Sequence, residues 1–260
     1  MVEGHEGQTN MARLVILGTA SAIPDERHDN THMVAHSSNG SILIDSGTNP
    51  FVSLKRANVP SEGLQAIIVT HFHPDHVSGF PNFLLGLWLL GRKNNLNIHG
   101  LRITLDKFQA LMNLFEWRDW PGFYPVSFEP VRAAENTLIA ETADFRVFAS
   151  PTHHLVPSLA LKIVSRASGR SVVYSSDTSP CDALARLARG ADVLVHEIAG
   201  AQIGHSSAAM AGSIARQAGV KQLALVHYYT TENEAVLIGE ARSTFHGQIT
   251  IAHDMEQFEM

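Results

Sequence analysis

A single cysteine, Cys181, stands in a chain of 260 residues. No internal disulfide can form, and a four-cysteine zinc site is excluded. Both exclusions favour a reducing, cytoplasmic setting, and any metal must be held by histidine and carboxylate. Charged residues make up only 17%, and no stretch carries enough charge to read as disordered. Uninterrupted apolar runs never reach the roughly 18 residues of a membrane span. The apolar stretch from Phe80 to Leu90 is short, which fits a covered helix, so no membrane partner is expected. No secretory signal is visible at the start. Residues 1–10 are polar and glycine-containing and read as a flexible tail, with Met11 as a candidate start and 11–260 as one domain. Basic charge is also in deficit: 19 Lys and Arg face 25 Asp and Glu, a net charge of −6. That balance offers little to a polyanionic partner.

Apolar residues make up 45% of the chain, enough for a sizeable core, and fifteen histidines are a first hint of metal chemistry. Short apolar runs alternate with helical patterns. Strands are expected at Leu14–Leu17, Met33–His36, Ile42–Ile44 and Ala66–Thr70, then at Arg146–Ala149, Ala160–Val164, Val172–Ser175, Val193–Val195 and Leu223–Val226. Helices are expected at Asn49–Asn58, Ser78–Leu90 and Thr104–Glu116. A further one has Ala208, Ala211, Ile214, Ala215 and Ala218 on one face, Ser206 or Ser207 as its cap and Gly219 at its end. Pro121, Gly122 and Pro125 make Trp117–Pro125 a loop. Interleaved strands and helices give an α/β class.

The chemistry-bearing residues share a phase. His71, His73, Asp75 and His76 follow one strand, His153 and His154 another, and Asp177 a third. His196 with Glu197 follow a fourth strand, and His227 a fifth. Ligand sites form at the carboxyl ends of strands in α/β sheets, and structural histidines have no reason to keep that phase. The densest group, His71-Phe72-His73-Pro74-Asp75-His76, places three histidines and an aspartate within six residues of a loop containing Pro74. Such a set suits zinc, manganese or iron; a merely solvated polar turn would not need it. The later residues are weaker one by one. His153 and His154 are equal candidates by composition, Asp177 could be a helix cap, and His227 a core histidine beside Tyr228 and Tyr229.

These residues resemble the metallo-β-lactamase superfamily and, within it, the ribonuclease Z-like hydrolases. The resemblance runs from Leu17-Gly18-Thr19 to the strand near Ile249. It rests on His71 to His76, His154 with Pro157, Asp177 before Thr178, the pair His196-Glu197, His205-Ser206-Ser207, and His227. It implies an αββα sandwich of two mixed sheets flanked by helices, with metals at one edge. It also implies two divalent ions, zinc before manganese or iron. His71, His73 and His154 would hold one, Asp75, His76 and His227 the other, and Asp177 would bridge them. Relatives of this kind are often dimers, so a homodimer is an expected assembly. One departure stands out. tRNA-processing members carry a long basic arm between the positions of His154 and Asp177, where this chain has only enough residues for a strand hairpin.

The expected activity is therefore phosphodiester hydrolysis of a small or single-stranded substrate, with tRNA disfavoured as a partner. Ester, lactone or sulfate hydrolysis, tRNA 3′-processing endonuclease activity and a non-catalytic metal-binding module are the alternatives. Candidate catalytic residues are Asp75, as proton acceptor, His205, as general acid, and Glu197, which pairs with His205 and raises its pKa. The helix starting near Ser206 acts in the opposite sense and favours neutral imidazole. His196 reads as a packing residue. The aromatic segment Leu114–Tyr124 is a candidate lid or pocket wall. Phe108 and Phe115 are expected in the core there, with Trp117, Trp120, Phe123 and Tyr124 better placed for exposure.

Overall fold

Strands that are apolar at nearly every position belong to sheets covered on both faces. The computed structural model, which describes residues 12–260, shows two such sheets. The first has seven strands. Antiparallel β1 (Arg13–Gly18), β2 (His32–Ser37) and β3 (Gly40–Ile44) lead into parallel β4 (Leu64–Ile68), β5 (Leu96–Leu101) and β6 (Val126–Val131). The C-terminal strand β14 (Gln257–Glu259) is added beside β1. The second sheet also has seven. Antiparallel β7 (Thr137–Glu141), β8 (Phe145–Pro151), β9 (Leu159–Ser165) and β10 (Ser171–Tyr174) are followed by β11 (Val193–Glu197), β12 (Gln222–Val226) and β13 (Gln248–Ile251), which run parallel to β10.

Alternation along each strand builds the layers. In β1, Leu14 and Ile16 turn to the space between the sheets, where they join Ile42, Ile44 and Ile68 and meet Val147, Leu161, Val172, Tyr174 and Val195 from the second sheet. Val15 and Leu17 turn outward, under α3 (Phe80–Leu89) and α4 (Arg102–Asn113), which contribute Phe80, Phe83, Phe108 and Met112. The outer face of the second sheet is covered by α5 (Asp182–Leu187), α6 (Ala208–Ala218) and α7 (Glu234–Arg242). The result is the expected four-layer αββα sandwich. No described helix is long and apolar enough to cross a membrane.

Helix α6 begins at Ser207, whose hydroxyl accepts from the Met210 amide, and ends at Gly219 in the left-handed region, as the caps predict. Elsewhere the structure departs from the sequence reading. Strands β5, β6, β7 and β14 and helices α5 and α7 are additional to the expected elements, while β13 is the expected strand near Ile249. Pro74 starts a one-turn helix, α2 (Pro74–Val77), where a loop was expected. Helix α1 (Phe51–Arg56) is shorter than Asn49–Asn58. Trp117 and Tyr124 are buried and Trp120 and Phe123 half-buried, while Phe115 is exposed, because the segment folds back over α3. Tyr124 donates to the Leu84 carbonyl and Trp120 stacks on Trp88. The expected tail, residues 1–10, lies outside the described residues.

Candidate metal centre

The ligand-bearing strand ends come from both sheets, not from one. His71 to His76 follow β4 of the first sheet. His154, Asp177 and His227 follow β8, β10 and β12 of the second, while His196 and Glu197 close β11 itself. Strands β8, β10, β11 and β12 point the same way, so their carboxyl ends gather at one end of the sandwich.

There, His71, His73, His154 and Asp177 form one group whose ligand atoms lie within 4.8 Å of one another, and Asp75, His76, Asp177 and His227 form a second. Asp177 belongs to both. Its Oδ2 lies 3.7 Å from Nε2 of His71 and 3.8 Å from Nε2 of His154. Its Oδ1 lies 3.5 Å from Nε2 of His76 and 3.6 Å from Nε2 of His227. Most of these gaps are too long for hydrogen bonds. Ligands at the usual 2.0–2.1 Å from a tetrahedral ion are separated by about 3.4 Å. The buried Nε2 atoms of His71 and His76 and Oδ1 of Asp177 have no hydrogen-bond partner in the protein. Buried polar atoms without partners, spaced as ligands around a common centre, fit a pair of divalent ions.

Protonation agrees with that fit. Burial lowers the pKa of His71, His73 and His154, which favours the neutral imidazole a metal requires. Burial acts the same way on His76 and His227, but the Asp177 carboxylate outweighs it and raises both. Burial would raise Asp177 in turn, yet the rings of His227 and His76 hold it well below the usual carboxylate range. In the second group, protons sit where a cation would displace them.

Surrounding side chains aim these ligands. Nδ1 of His76 donates to Asp45 Oδ2 at 2.9 Å, so its Nε2 faces the centre. Asp45 also accepts from the amide and hydroxyl of Thr70, and that hydroxyl lies 3.1 Å from Nδ1 of His71. The sequence reading missed Asp45. The available signal was its place after Ile42–Ile44, in the phase that exposed the histidines. Asp45, Ser176 and His227 adopt φ values of +57°, +51° and +56°. Left-handed backbone at three non-glycine positions around one centre is a local strain that the site requires.

Of the two adjacent histidines, His154 enters the centre, while His153 is exposed and lines a separate cavity with Cys181. His196 is fully buried and donates from Nδ1 to the Glu197 carbonyl, a packing role. Glu197 holds His205: its Oε1 lies 3.2 Å from Nδ1 of the ring and also accepts from the Thr178 and Ser206 amides, while Oε2 accepts from the Ala199 amide. Burial lowers the His205 pKa, but this carboxylate outweighs it and raises the value. Glu197 is therefore a positioning group one step from the cavity, and His205 is the one that lines it.

The cavity measures about 170 Å³ and is lined by His73, Asp75, Asp177, His205 and His227, with Ile23, Gln202 and Tyr229 at its sides and, among the described residues, no lysine or arginine. None of residues 114–124 lines it. Phe115 and Trp120 instead border a groove against Pro81 and Leu85, so the aromatic segment is not a wall of this site.

Residues 12–250 match the family model described as Anti-Pycsar protein Apyc1. The chain belongs to the Anti-Pycsar protein Apyc1 family. Apyc1 family membership sits within a wider likeness to ribonuclease Z. The chain is 27% identical to ribonuclease Z of Methanosarcina mazei, over 96% of this chain and 98% of that one. Among solved structures it is similar to the metallo-β-lactamase fold protein YhfI from Bacillus subtilis, with a TM-score of 0.82 at 23% identity over 96% and 100% of the two chains. It is also similar to the short form of human tRNase Z, with a TM-score of 0.75 at 22% identity over 95% and 98%. This Apyc1 family member is a ribonuclease Z-like protein of the metallo-β-lactamase superfamily, and a metal-dependent hydrolase of phosphoester bonds.

Proposed function

We propose that the protein is a two-metal phosphodiesterase acting on small phosphodiesters. The observation that carries this reading is the placement of Asp177, with one carboxylate oxygen toward each group of ligands. His71, His73 and His154 would hold one ion and Asp75, His76 and His227 the other, with zinc ahead of manganese or iron. When bound, such a pair lowers the pKa of a shared water and offsets charge developing on a phosphoryl oxygen.

The chain's own groups supply proton transfer. Asp75 lines the cavity and accepts the proton lost by the attacking water. His205 is tethered through Nδ1 to Glu197, which leaves Nε2 to deliver a proton to the departing ester oxygen. Glu197 is itself fixed by three backbone amides, so the ring keeps one tautomer and one orientation.

Substrate size follows from what surrounds the cavity. Strands β9 and β10 are joined by a turn over 166–170, so no arm extends between His154 and Asp177. Among the described residues no lysine or arginine lines the cavity to grip neighbouring phosphates. Both features favour a small diester over a folded RNA. Endonucleolytic tRNA processing is the second reading, supported by the names of the curated relatives.

The test is purified protein loaded with zinc or manganese, its bound metal counted, assayed on bis-p-nitrophenyl phosphate, a lactone panel and a pre-tRNA. Two ions per chain with diester hydrolysis alone is the expected result. Cleavage of pre-tRNA would support the second reading. Lactone hydrolysis without diester hydrolysis, or metal binding with no activity on any substrate, would refute the proposal.

A further inference from the structure

The loop between β11 and α6 carries His205, yet its neighbour Gly204 is bonded to a different functional group. The Gly204 carbonyl accepts from Nδ1 of His154 at 2.7 Å. That bond places the imidazole proton on Nδ1 and leaves the Nε2 lone pair facing the centre, 3.1 Å from Nδ1 of His73. On its other side, the Gly204 amide donates to Oγ of Ser179 at 2.9 Å. The Ser179 amide in turn donates to the His153 carbonyl at 2.8 Å. A closed ring of hydrogen bonds thus ties three segments: the one with His153 and His154, the one after Asp177, and the one with His205.

Glycine at this position is dictated by geometry. Gly204 has φ +89°, and a Cβ there would approach within 3.0 Å of His154 Nδ1 and 3.2 Å of the Leu155 amide nitrogen. Either strain would push the carbonyl away from the ring it holds.

We infer that Gly204 is a positioning residue for the metal ligand His154, and that Ser179 is the anchor that keeps Gly204 in place. The ligand group His71, His73 and His154 and the loop presenting His205 then behave as one mechanical unit. Disturbing Ser179 should therefore loosen a metal site and misplace a proton donor together, although Ser179 neither ligates nor lines the cavity. The inference rests on the metal-centre reading but not on the identity of the substrate.

The test uses the full chain with Ser179→Ala, Ser179→Thr and Gly204→Ala. Zinc affinities of the two binding steps are measured by competition with a chelator, and the His154 Nδ1 proton is followed by NMR. In Ser179→Ala, one binding step should weaken about 10- to 100-fold, the range typical when the partner of a ligating histidine is disturbed, while the other step stays unchanged. The Nδ1 proton should exchange faster. On bis-p-nitrophenyl phosphate, kcat should fall more than KM changes. Ser179→Thr, which keeps the hydroxyl, should restore all three, and Gly204→Ala should weaken the same binding step. Should Gly204→Ala fail to fold, the serine pair decides. Two binding steps equal to wild type in Ser179→Ala, or a threonine variant as impaired as the alanine one, would overturn the inference. Affinity is read without turnover, so a protein that binds zinc normally and hydrolyses no diester defeats the phosphodiesterase reading alone.

Discussion

Asp45 follows β3 and His76 sits in the one-turn helix α2, yet the carboxylate of one accepts from the ring of the other at 2.9 Å, with both side chains fully buried. A buried carboxylate with three donors is a fixed point against which the ligand is aimed. Asp45→Ala should weaken zinc binding about 10- to 100-fold, measured by chelator competition, while circular dichroism stays that of a folded protein. Zinc affinity equal to wild type would remove Asp45 from the support of the centre.

His205 faces the cavity without belonging to either group of three histidines and carboxylates around Asp177. His205→Ala should therefore keep two ions per chain and lower kcat on an unactivated diester by about 100-fold or more. The loss should shrink on a substrate with a good leaving group such as p-nitrophenolate, which departs without a proton. Equal losses on both substrates would show that His205 does not protonate the leaving oxygen.

His196 gives the stability a pH dependence. Its pKa is lowered from 6.5 to about 4, chiefly by burial, with the bond to the Glu197 carbonyl acting in the opposite sense. The unfolded chain takes up this proton below pH 6.5 and the folded chain only near 4. Stability is therefore intact above 6.5 and falls as pH drops toward 4, by about 3 kcal/mol at 1.36 kcal/mol per unit. Urea midpoints of wild type and His196→Phe, taken between pH 7 and 4, should converge as pH falls. Parallel curves would show that His196 does not carry this dependence.

Leu161 sits between the two sheets, fully buried. Leu161→Ala should cost about 2–5 kcal/mol in urea denaturation. Metal stoichiometry should survive, because the ligands leave the strand ends and not this layer. Loss of an ion at temperatures where the variant is folded would show that inter-sheet packing tunes the centre directly.

The metal ligands were legible because a polar cluster after a run such as Ile67-Ile68-Val69 has no packing explanation. The two-sheet core was legible for the same reason: strands covered on both faces read as continuous apolar runs. Strand β6 was hidden by Pro130, which an edge strand tolerates and an interior strand does not. Helix α7 was blurred by Gly239. Asp45 hid in Asp-Ser-Gly, whose residues also spell a turn. The choice between His153 and His154 required the fold. Adjacent side chains in extended backbone point oppositely, and composition does not say which face meets the centre.

The short turn over 166–170 has one more consequence. An enzyme with a distant grip can draw on contacts far from the bond it breaks and apply them to the reacting atoms. With only a five-residue reversal between β9 and β10, this protein has no such lever there. If the proposed small diester is the substrate, its selection rests on groups close to phosphorus, and lengthening a substrate toward this turn should gain it nothing.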